Sequence, residues 1–248
     1  MTAAINRPRR VVEVVDTTGV RYPLGECIGK GGYGKVYVSE GCVLKINCRR
    51  ATLGESLVFT EKLKHPNVGR ILGVVVLIPY FFQGVRMGRA AGKELMDLAT
   101  KLNPSESLKV VRGLAEGVSY LNGRGFVHRD IKPENVVVDA NAIAVLLDFG
   151  GLCEEGSSVG REGTLPYMPP EVIGVLMHLA SRGIDSWSFG VTVLAIFTGM
   201  LVSSQEEGVA HAVSAAHSVG KILSERAATL LTVGTCRRSV KWFLDAFF

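Results

Sequence analysis

The sequence predicts an α+β protein of two lobes, a small β-sheet lobe with one main helix and then a larger helical lobe. Three observations support this. Short β-rich runs separated by glycine turns fill the first third of the chain, stretches with helical periodicity fill most of the rest, and small residues interrupt the pattern near Met87 to Ala91. We expect residues 1–20 to form an N-terminal extension, residues 21–87 the first lobe and residues 88–248 the second.

The elements of the two lobes differ in their periodicity. Five β-rich runs bounded by turn residues indicate strands: RRVVEVVD, YPLGECIG, GKVYVSEGCVLKIN, VGRILGVVVLIPY and FQGVRM. The one stretch of the first lobe with helical spacing is TLGESLVFTEKLK, residues 52–64. In the second lobe helices are expected in AAGKELMDLATKL, SESLKVVRGLAEGVSYLNGRG, DSWSFGVTVLAIFTGM and EEGVAHAVSAAHSVGKILSERAATLLTV.

Composition narrows the class of protein. The mean hydropathy of +0.26 is high, yet the longest apolar runs fall short of the roughly 18 residues of a membrane span, so none is expected. The start of the chain lacks the apolar core of a signal peptide, and the five cysteines show no CxxC spacing. We therefore expect an intracellular protein of the cytoplasm or nucleus, including that of a host cell if the chain is viral. The net charge of +5 is scattered, with no basic run longer than RPRR, so no nucleic-acid partner is expected.

A glycine-rich loop follows the first predicted strands. The stretch IGKGGYGKVYV sets Gly29, Gly31 and Gly34 in a G-x-G-x-x-G frame, which allows phosphate oxygens to approach the backbone N–H groups. Because the glycines lead into KVYV, a strand and not a helix, the pattern favours a hairpin over phosphates and not a dinucleotide-binding turn. Taken alone, the pattern equally fits an ordinary glycine hairpin.

Two stretches, HRDIKPENVVVD and LLDFGG, carry polar and charged side chains between apolar residues. Together the two stretches place four such residues within nineteen positions: Asp130, Lys132, Asn135 and Asp148. Two carboxylates, an amide and an ammonium suit a Mg²⁺-phosphate site, in which oxygen atoms bind the metal and a base accepts a hydroxyl proton. Lys45 stands among apolar strand residues in CVLKI and needs a carboxylate or an anionic ligand, because burying an unpaired ammonium is costly.

In this order the motifs resemble the signature set of the eukaryotic-type protein kinases. The resemblance runs from about residue 21 to residue 248 and includes GTLPYMPPE at residues 163–171 and DSWSFGV from Asp185. The lysine in HRDIKPEN and Thr164 resemble the serine/threonine class. The short connections of the first lobe are similar to those of herpesvirus-type serine/threonine kinases.

The resemblance implies ATP and Mg²⁺ as cofactors and proteins with serine or threonine acceptors as substrates. Asp130 would accept the hydroxyl proton and Lys132 would steady the transferring phosphoryl group. Asn135 and Asp148 would hold Mg²⁺, and Lys45 would bind the α and β phosphates. The nucleotide-binding residues implied by the resemblance lie in the loop, the strands and the hinge: Ile28, Gly29, Lys30, Gly31, Gly32, Tyr33, Gly34, Val36, Val43, Lys45, Met87, Gly88, Ala90, Glu94 and Val137.

The carboxylate partner of Lys45 depends on the register of the predicted helix. The usual family interval falls on Ser56, which cannot neutralise an ammonium, and Glu55 lies one residue before it. Glu55 shares a helix face with the apolar Phe59. We therefore expect Glu55 to pair with Lys45 and Glu61 to face solvent.

Arg129, which precedes the predicted base, is expected to meet negative charge on the segment that follows the DFG motif. The resemblance implies a phosphate on Ser157 or Ser158. The alternative is that Glu154 and Glu155 already supply this charge.

Two further expectations concern packing. The resemblance implies that Glu171 forms a buried structural ion pair with Arg237, because a carboxylate buried there without a partner would be costly. Trp187 and Phe189 are expected to be core residues and not part of a binding site.

Two other functions compete with an active protein kinase. A pseudokinase scaffold would bind nucleotide or partners without phosphotransfer, but its usual mark is the loss of the lysine, the catalytic aspartate or a metal ligand, and all of these are present. A small-molecule phosphotransferase would normally lack RDIKPEN and GTLPYMPPE.

Overall fold

Four β-sheets and five α-helices make up the part of the chain that the computed structural model describes, residues 13–31, 34–47, 62–78, 82–198 and 239–247. The strands are β1 Glu13–Asp16, β2 Arg21–Tyr22, β3 Cys27–Gly31, β4 Gly34–Ser39, β5 Cys42–Asn47, β6 Ile71–Ile78, β7 Phe82–Met87, β8 Lys93–Glu94, β9 Phe126–Val127, β10 Val136–Val138, β11 Ala144–Leu146, β12 Cys153–Glu154, β13 Ser158–Gly160 and β14 Met177–Leu179. The helices are α1 Leu95–Leu98, α2 Pro104–Asn122, α3 Pro170–Ile173, α4 Arg182–Thr198 and α5 Val240–Phe247.

The chain divides into two compact units. One comprises Met1–Thr52 with Ile71–Arg89, and the other comprises Leu53–Arg70 with Ala90–Phe248. The first unit contains the strands β1 to β7, and the second contains all the helices of the described ranges together with the short strands β8 to β14. The prediction of an α+β fold with a sheet lobe followed by a helical lobe is confirmed.

A seven-stranded antiparallel sheet forms the first unit, in the order β2-β1-β6-β7-β5-β4-β3. Strand β1 pairs with β6, from Glu13 opposite Ile78 to Asp16 opposite Val75. Val14 of this strand is completely buried in the core of the unit. Part of the sequence assigned to an N-terminal extension is therefore a strand of the sheet.

Strand β5 shows how this sheet presents two different faces. Its six residues, CVLKIN, are all buried. Side chains alternate between the two faces of a strand. Cys42, Leu44 and Ile46 pack into the core cluster with Val14, so Val43 and Lys45, the two residues between them, lie on the opposite face.

The second unit is organised around α2 and α4. Helix α2 begins at a capping box in which Asn103 Oδ1 accepts from the Glu106 N–H while the Glu106 side chain accepts from the Asn103 N–H. Trp187 and Phe189 of α4 are buried, and Phe189 packs edge-on against Phe243 of α5. Their predicted role as packing residues is confirmed.

Some expectations fall wholly or partly outside the described residues. These are most of the predicted helix over residues 52–64, the predicted helix after residue 204, and the residues Gly32, Tyr33, Glu55 and Arg237. The described end of the first of these helices, residues 62–64, is not helical, and Lys62 has a φ of 52°. No helix within the described ranges combines the length and the apolar character needed to cross a membrane.

Candidate active site

The glycine-rich loop is a hairpin between β3 and β4, as the sequence predicted. Gly31 pairs with Gly34, and the two residues between them lie outside the described ranges. The backbone of Gly34 lies so close to the Ile46 carbonyl of β5 that no side chain would fit there. Gly34 therefore lets β4 pack against β5, and Ile28 and Lys30 on β3 are brought into the same hairpin.

Several predicted nucleotide-binding residues of the first unit are neighbours in the sheet. Val36 pairs with Lys45 across β4 and β5, while Val43 pairs with Met87 across β5 and β7. Lys45 is buried, with only 4% of its surface exposed. The sheet thus groups an ammonium with three apolar side chains, a combination that suits the phosphates and the base of a nucleotide.

The predicted hinge follows β7 directly. Gly88 and Ala90 lie in an irregular segment, and the division between the two units falls between Arg89 and Ala90. Further along, Glu94 of β8 pairs with Val137 of β10. Burial raises the pKa of Glu94 above its ordinary value, and the nearby carboxylates of Asp97 and Glu134 act in the same direction.

In the second unit, Asp185 at the start of α4 fixes the loop that carries HRD. Its side chain is fully buried and accepts hydrogen bonds from the backbone N–H groups of His128 (2.9 Å) and Arg129 (2.9 Å) and from Asn122 Nδ2 (2.8 Å). Burial, the largest effect, raises the pKa of this carboxyl group above its ordinary value, and the three hydrogen bonds offset part of that rise. Arg129 has a φ of 69°, so the carboxylate stabilises a backbone conformation that a non-glycine residue rarely adopts.

His128 links this loop to the DFG segment. Its ring is fully buried, accepts from the Asp130 N–H at Nδ1 (3.3 Å) and lies 3.1 Å from the Leu147 carbonyl at Nε2. This pattern fits a neutral ring protonated at Nε2. The ring also packs edge-on against Phe149, with the centroids 5.5 Å apart. The predicted base and the DFG segment therefore share one buried histidine.

Three predicted or class-defining residues, Lys132, Asn135 and Thr164, contact the carboxylate of Asp130, which is 3% exposed. Asp130 Oδ1 accepts from the Thr164 hydroxyl (2.8 Å), and Oδ2 accepts from Asn135 Nδ2 (2.9 Å). Lys132 Nζ donates to Thr164 Oγ1 (2.6 Å) and lies 3.3 Å from Asp130 Oδ2. A carboxylate has about four lone-pair directions, so these contacts orient the group and leave it able to accept one more hydrogen bond.

The two predicted metal ligands present oxygen atoms. Asn135 Nδ2 is used in donating to Asp130, both to its side chain and to its carbonyl oxygen (2.7 Å), so Oδ1 is the atom that can bind a cation. Asp148 adopts a left-handed conformation, with φ 60° and ψ 79°, and its Oδ1 accepts from the Gly150 N–H. Both are hard oxygen donors of the kind that Mg²⁺ prefers. Across the described ranges, no group of three or more His, Cys, Asp or Glu side chains is placed to hold a metal by itself.

Thr164 contacts two candidate site residues, Asp130 and Lys132. The sequence indicates Thr164 only as a mark of the serine/threonine class. The preceding Gly163 has a φ of 109°, and a Cβ there would lie 2.5 Å from the Arg129 carbonyl oxygen. The GT pair in the sequence is the available signal, since only glycine brings the backbone close enough for the threonine to reach Asp130 and Lys132.

The contacts of the Arg129 guanidinium differ from the expected contact with negative charge. The Arg129 guanidinium donates to the carbonyl oxygens of Gly151 and Gly160. The carboxylate of Glu155 instead forms an ion pair with Arg182. Glu155 is therefore paired with Arg182 and not with Arg129, while the charge expected from Glu154 stays a prediction.

Glu171 also departs from expectation. It lies in α3 and its side chain is exposed, so the predicted burial of this carboxylate is wrong. Its position on a four-residue helix at the surface leaves it in contact with water. The predicted partner Arg237, like the Lys45 partner Glu55, lies outside the described residues.

The fold and this arrangement define the class of protein as a protein kinase. The family model of the protein kinase domain matches residues 22–245, and the chain belongs to that family. The narrower resemblance to herpesvirus-type kinases stays a prediction.

Individual relatives are similar at a lower level. The chain is 28% identical over 214 residues to mitogen-activated protein kinase kinase kinase 5 of Arabidopsis thaliana, covering 75% of this chain and 30% of that protein. It is 29% identical over 201 residues to Aurora kinase A-A of Xenopus laevis, with 72% and 47% covered. To CBL-interacting serine/threonine-protein kinase 8 of Arabidopsis thaliana it is 28% identical over 265 residues, with 92% and 58% covered. In each case the chain spans less than two thirds of the relative's length.

Proposed function

We propose that this chain transfers the γ-phosphoryl group of ATP to serine or threonine hydroxyls of protein substrates. The observation that supports this best is the hydrogen-bonded set formed by Asp130, Lys132, Asn135 and Thr164. It combines an oriented carboxylate, a cation and an amide oxygen, the three groups that phosphoryl transfer to a hydroxyl requires.

Each residue has a definite task in this proposal. Asp130, held by Asn135, Thr164 and Lys132, accepts the proton of the substrate hydroxyl at its remaining lone pair. Lys132, fixed between Asp130 and Thr164, places its positive charge beside the group being transferred. Lys45, buried on the face of β5 opposite the core cluster, binds phosphate oxygens.

The oxygen atoms of Asn135 and Asp148 fit a divalent cation. These two residues would hold Mg²⁺, which neutralises phosphate charge when it is bound. Two protein ligands match the habit of Mg²⁺, which usually takes the rest of its ligands from water and from substrate phosphates.

The test is phosphotransfer itself. Purified protein is incubated with Mg²⁺, γ-labelled ATP and a degenerate peptide library containing serine and threonine. We expect label on both hydroxyl residues, and we expect Asp130→Asn to lower the rate at least ~10²-fold because the base is lost while the volume is kept.

Nucleotide affinity is the control for this variant and should stay within about twofold of the wild type, because Asp130 acts on the proton and not on the nucleotide. Nucleotide binding without label transfer by the wild-type protein would favour the pseudokinase alternative. Near-full turnover by Asp130→Asn would contradict the assignment of the base.

A further inference from the structure

The segment that follows DFG, residues 151–168, is hereafter called the activation segment, and it is fastened to the start of α4 by side-chain contacts. Glu155 accepts hydrogen bonds from Arg182 Nε (2.9 Å), from Arg182 Nη2 (2.5 Å) and from the Arg182 backbone N–H (3.3 Å). A guanidinium that binds both oxygens of a carboxylate is held in one orientation, unlike a single-contact surface ion pair. The Arg182 side chain also lowers the pKa of Glu155.

Backbone hydrogen bonds surround this ion pair. The Gly156 N–H donates to the Ala180 carbonyl (2.7 Å), and the Ala180 N–H donates to the Ser157 carbonyl (2.9 Å). Immediately afterwards, β13 pairs with β14, from Ser158 opposite Leu179 to Gly160 opposite Met177. Residues 155–160 therefore dock along residues 177–182 over their whole length.

The activation segment also forms hydrogen bonds with β9 and with the loop that carries HRD. Strand β12 pairs with β9, and Arg129 donates to the carbonyls of Gly151 and Gly160. Only three residues separate Gly160 from Thr164. Fixing Gly160 therefore limits where the Thr164 hydroxyl can lie. In the structure this hydroxyl is hydrogen-bonded to Asp130 and Lys132.

We infer that Glu155 and Arg182 are positioning residues. Their ion pair holds the activation segment in the conformation in which Thr164 is hydrogen-bonded to Asp130, and this conformation needs no phosphate on the segment. This rests on the proposed function. Arg129, the cation expected to bind such a phosphate, already donates to two backbone carbonyls. Ser157 and Ser158 lie where the backbone is already paired, through the Ser157 carbonyl and through β13. Phosphorylation of either serine is not required for activity.

The test compares Glu155→Gln with a matched control, Glu116→Gln. Glu116 forms an ion pair with Arg112 on α2, with side-chain exposures of 57% and 35% for Arg112 and Glu116 against 52% and 30% for Arg182 and Glu155. Hydrogen exchange of residues 151–164 is measured together with kcat and the KM for ATP.

In Glu155→Gln we expect exchange of residues 151–164 about fivefold faster and kcat lowered about three- to tenfold, with the KM for ATP unchanged. Glu116→Gln should alter neither. The charge-swapped double variant, Glu155→Arg with Arg182→Glu, should restore part of the slow hydrogen exchange and part of kcat. Neither single variant should restore either. The double variant Ser157→Ala with Ser158→Ala should retain kcat within about twofold, because neither hydroxyl is part of the site.

Unchanged exchange and kcat in Glu155→Gln would overturn the inference, and so would loss of activity in the double alanine variant. The exchange measurement needs no catalysis. A wild-type protein that transfers no phosphate would therefore refute the proposed function, while the exchange result would still decide whether the ion pair holds the segment.

Discussion

The Thr164 hydroxyl donates a 2.8 Å hydrogen bond to Asp130 Oδ1. The same hydroxyl accepts from Lys132 Nζ at 2.6 Å. Thr164 therefore bridges the proposed base and Lys132, which also forms a direct ion pair with Asp130 Oδ2 at 3.3 Å, so that the three side chains orient one another.

We predict that Thr164→Val lowers kcat/KM for a peptide at least about tenfold, because the isosteric side chain can neither donate nor accept. Thr164→Ser keeps the hydroxyl and should retain activity within about threefold. Steady-state kinetics with both variants, accompanied by thermal unfolding, separates this effect from a loss of folding. Equal losses in the two variants would show that the methyl group and not the hydroxyl matters.

The grouping of three candidate site residues could be predicted because they are close in sequence. Asp130, Lys132 and Asn135 lie within six positions, and their spacing alone brings them together. The contact of Thr164 with Lys132 spans 32 residues, and that of Glu155 with Arg182 spans 27. Both depend on the path of the activation segment, which is set by strand pairing and not by local pattern.

For strand β1, the strand itself could be predicted but its place in the core could not. The run RRVVEVVD is rich in the β-branched residues of a strand, and β1 is a strand, but the sequence could not show that Val14 enters the same core as the later β5 and β6. A β-rich composition favours a strand and says nothing about which other strands it packs against. The burial of Glu171 was predicted wrongly for a similar reason, since family position does not determine solvent exposure.

Val14 provides a test of how far the folded unit extends, because it lies before residue 22, where the family match begins. Val14→Ala removes buried methyl groups from a closed core and should lower the free energy of unfolding by about 1–3 kcal/mol. Val20, which is 49% exposed, is the matched control, and Val20→Ala should change stability by less than about 0.5 kcal/mol. Urea denaturation of both variants measures the difference. Similar values would place β1 outside the cooperative core.

Glu55, the predicted partner of Lys45, lies outside the described residues, and this prediction rests on the sequence. Glu55 and Phe59 are four residues apart and share a face if this stretch is helical. Glu55→Gln should lower kcat/KM by more than about tenfold through loss of an ion pair that positions the phosphate-binding lysine, while Glu61→Gln should change little. Steady-state assays of the two variants decide the register. A larger effect at Glu61 would show that the opposite face carries the partner.

Asp16 makes the hairpin of β1 and β2 sensitive to acid. Its Oδ1 accepts from the Thr18 hydroxyl (2.7 Å), the Thr18 N–H (2.9 Å) and the Val20 N–H (3.0 Å), and its Oδ2 accepts from the Tyr22 hydroxyl (2.8 Å). These donors, the Thr18 hydroxyl first, lower the pKa of Asp16 to about 2 from its ordinary value of 3.8. A carboxylate with a lowered pKa stabilises the folded state above the pKa of the unfolded chain, and this contribution disappears as the pH falls through the folded value.

We therefore expect the Tm of the wild type to exceed that of Asp16→Asn by a constant amount at neutral pH. The difference should shrink as the pH falls from 3.8 towards about 2, because the wild-type carboxyl group then takes up a proton and becomes neutral, like the amide of the variant. Thermal unfolding of both proteins across this range is the measurement, and the neutral-pH plateau is its internal control. A Tm difference that persists unchanged at the acid end would show that the charge of Asp16 does not stabilise the hairpin.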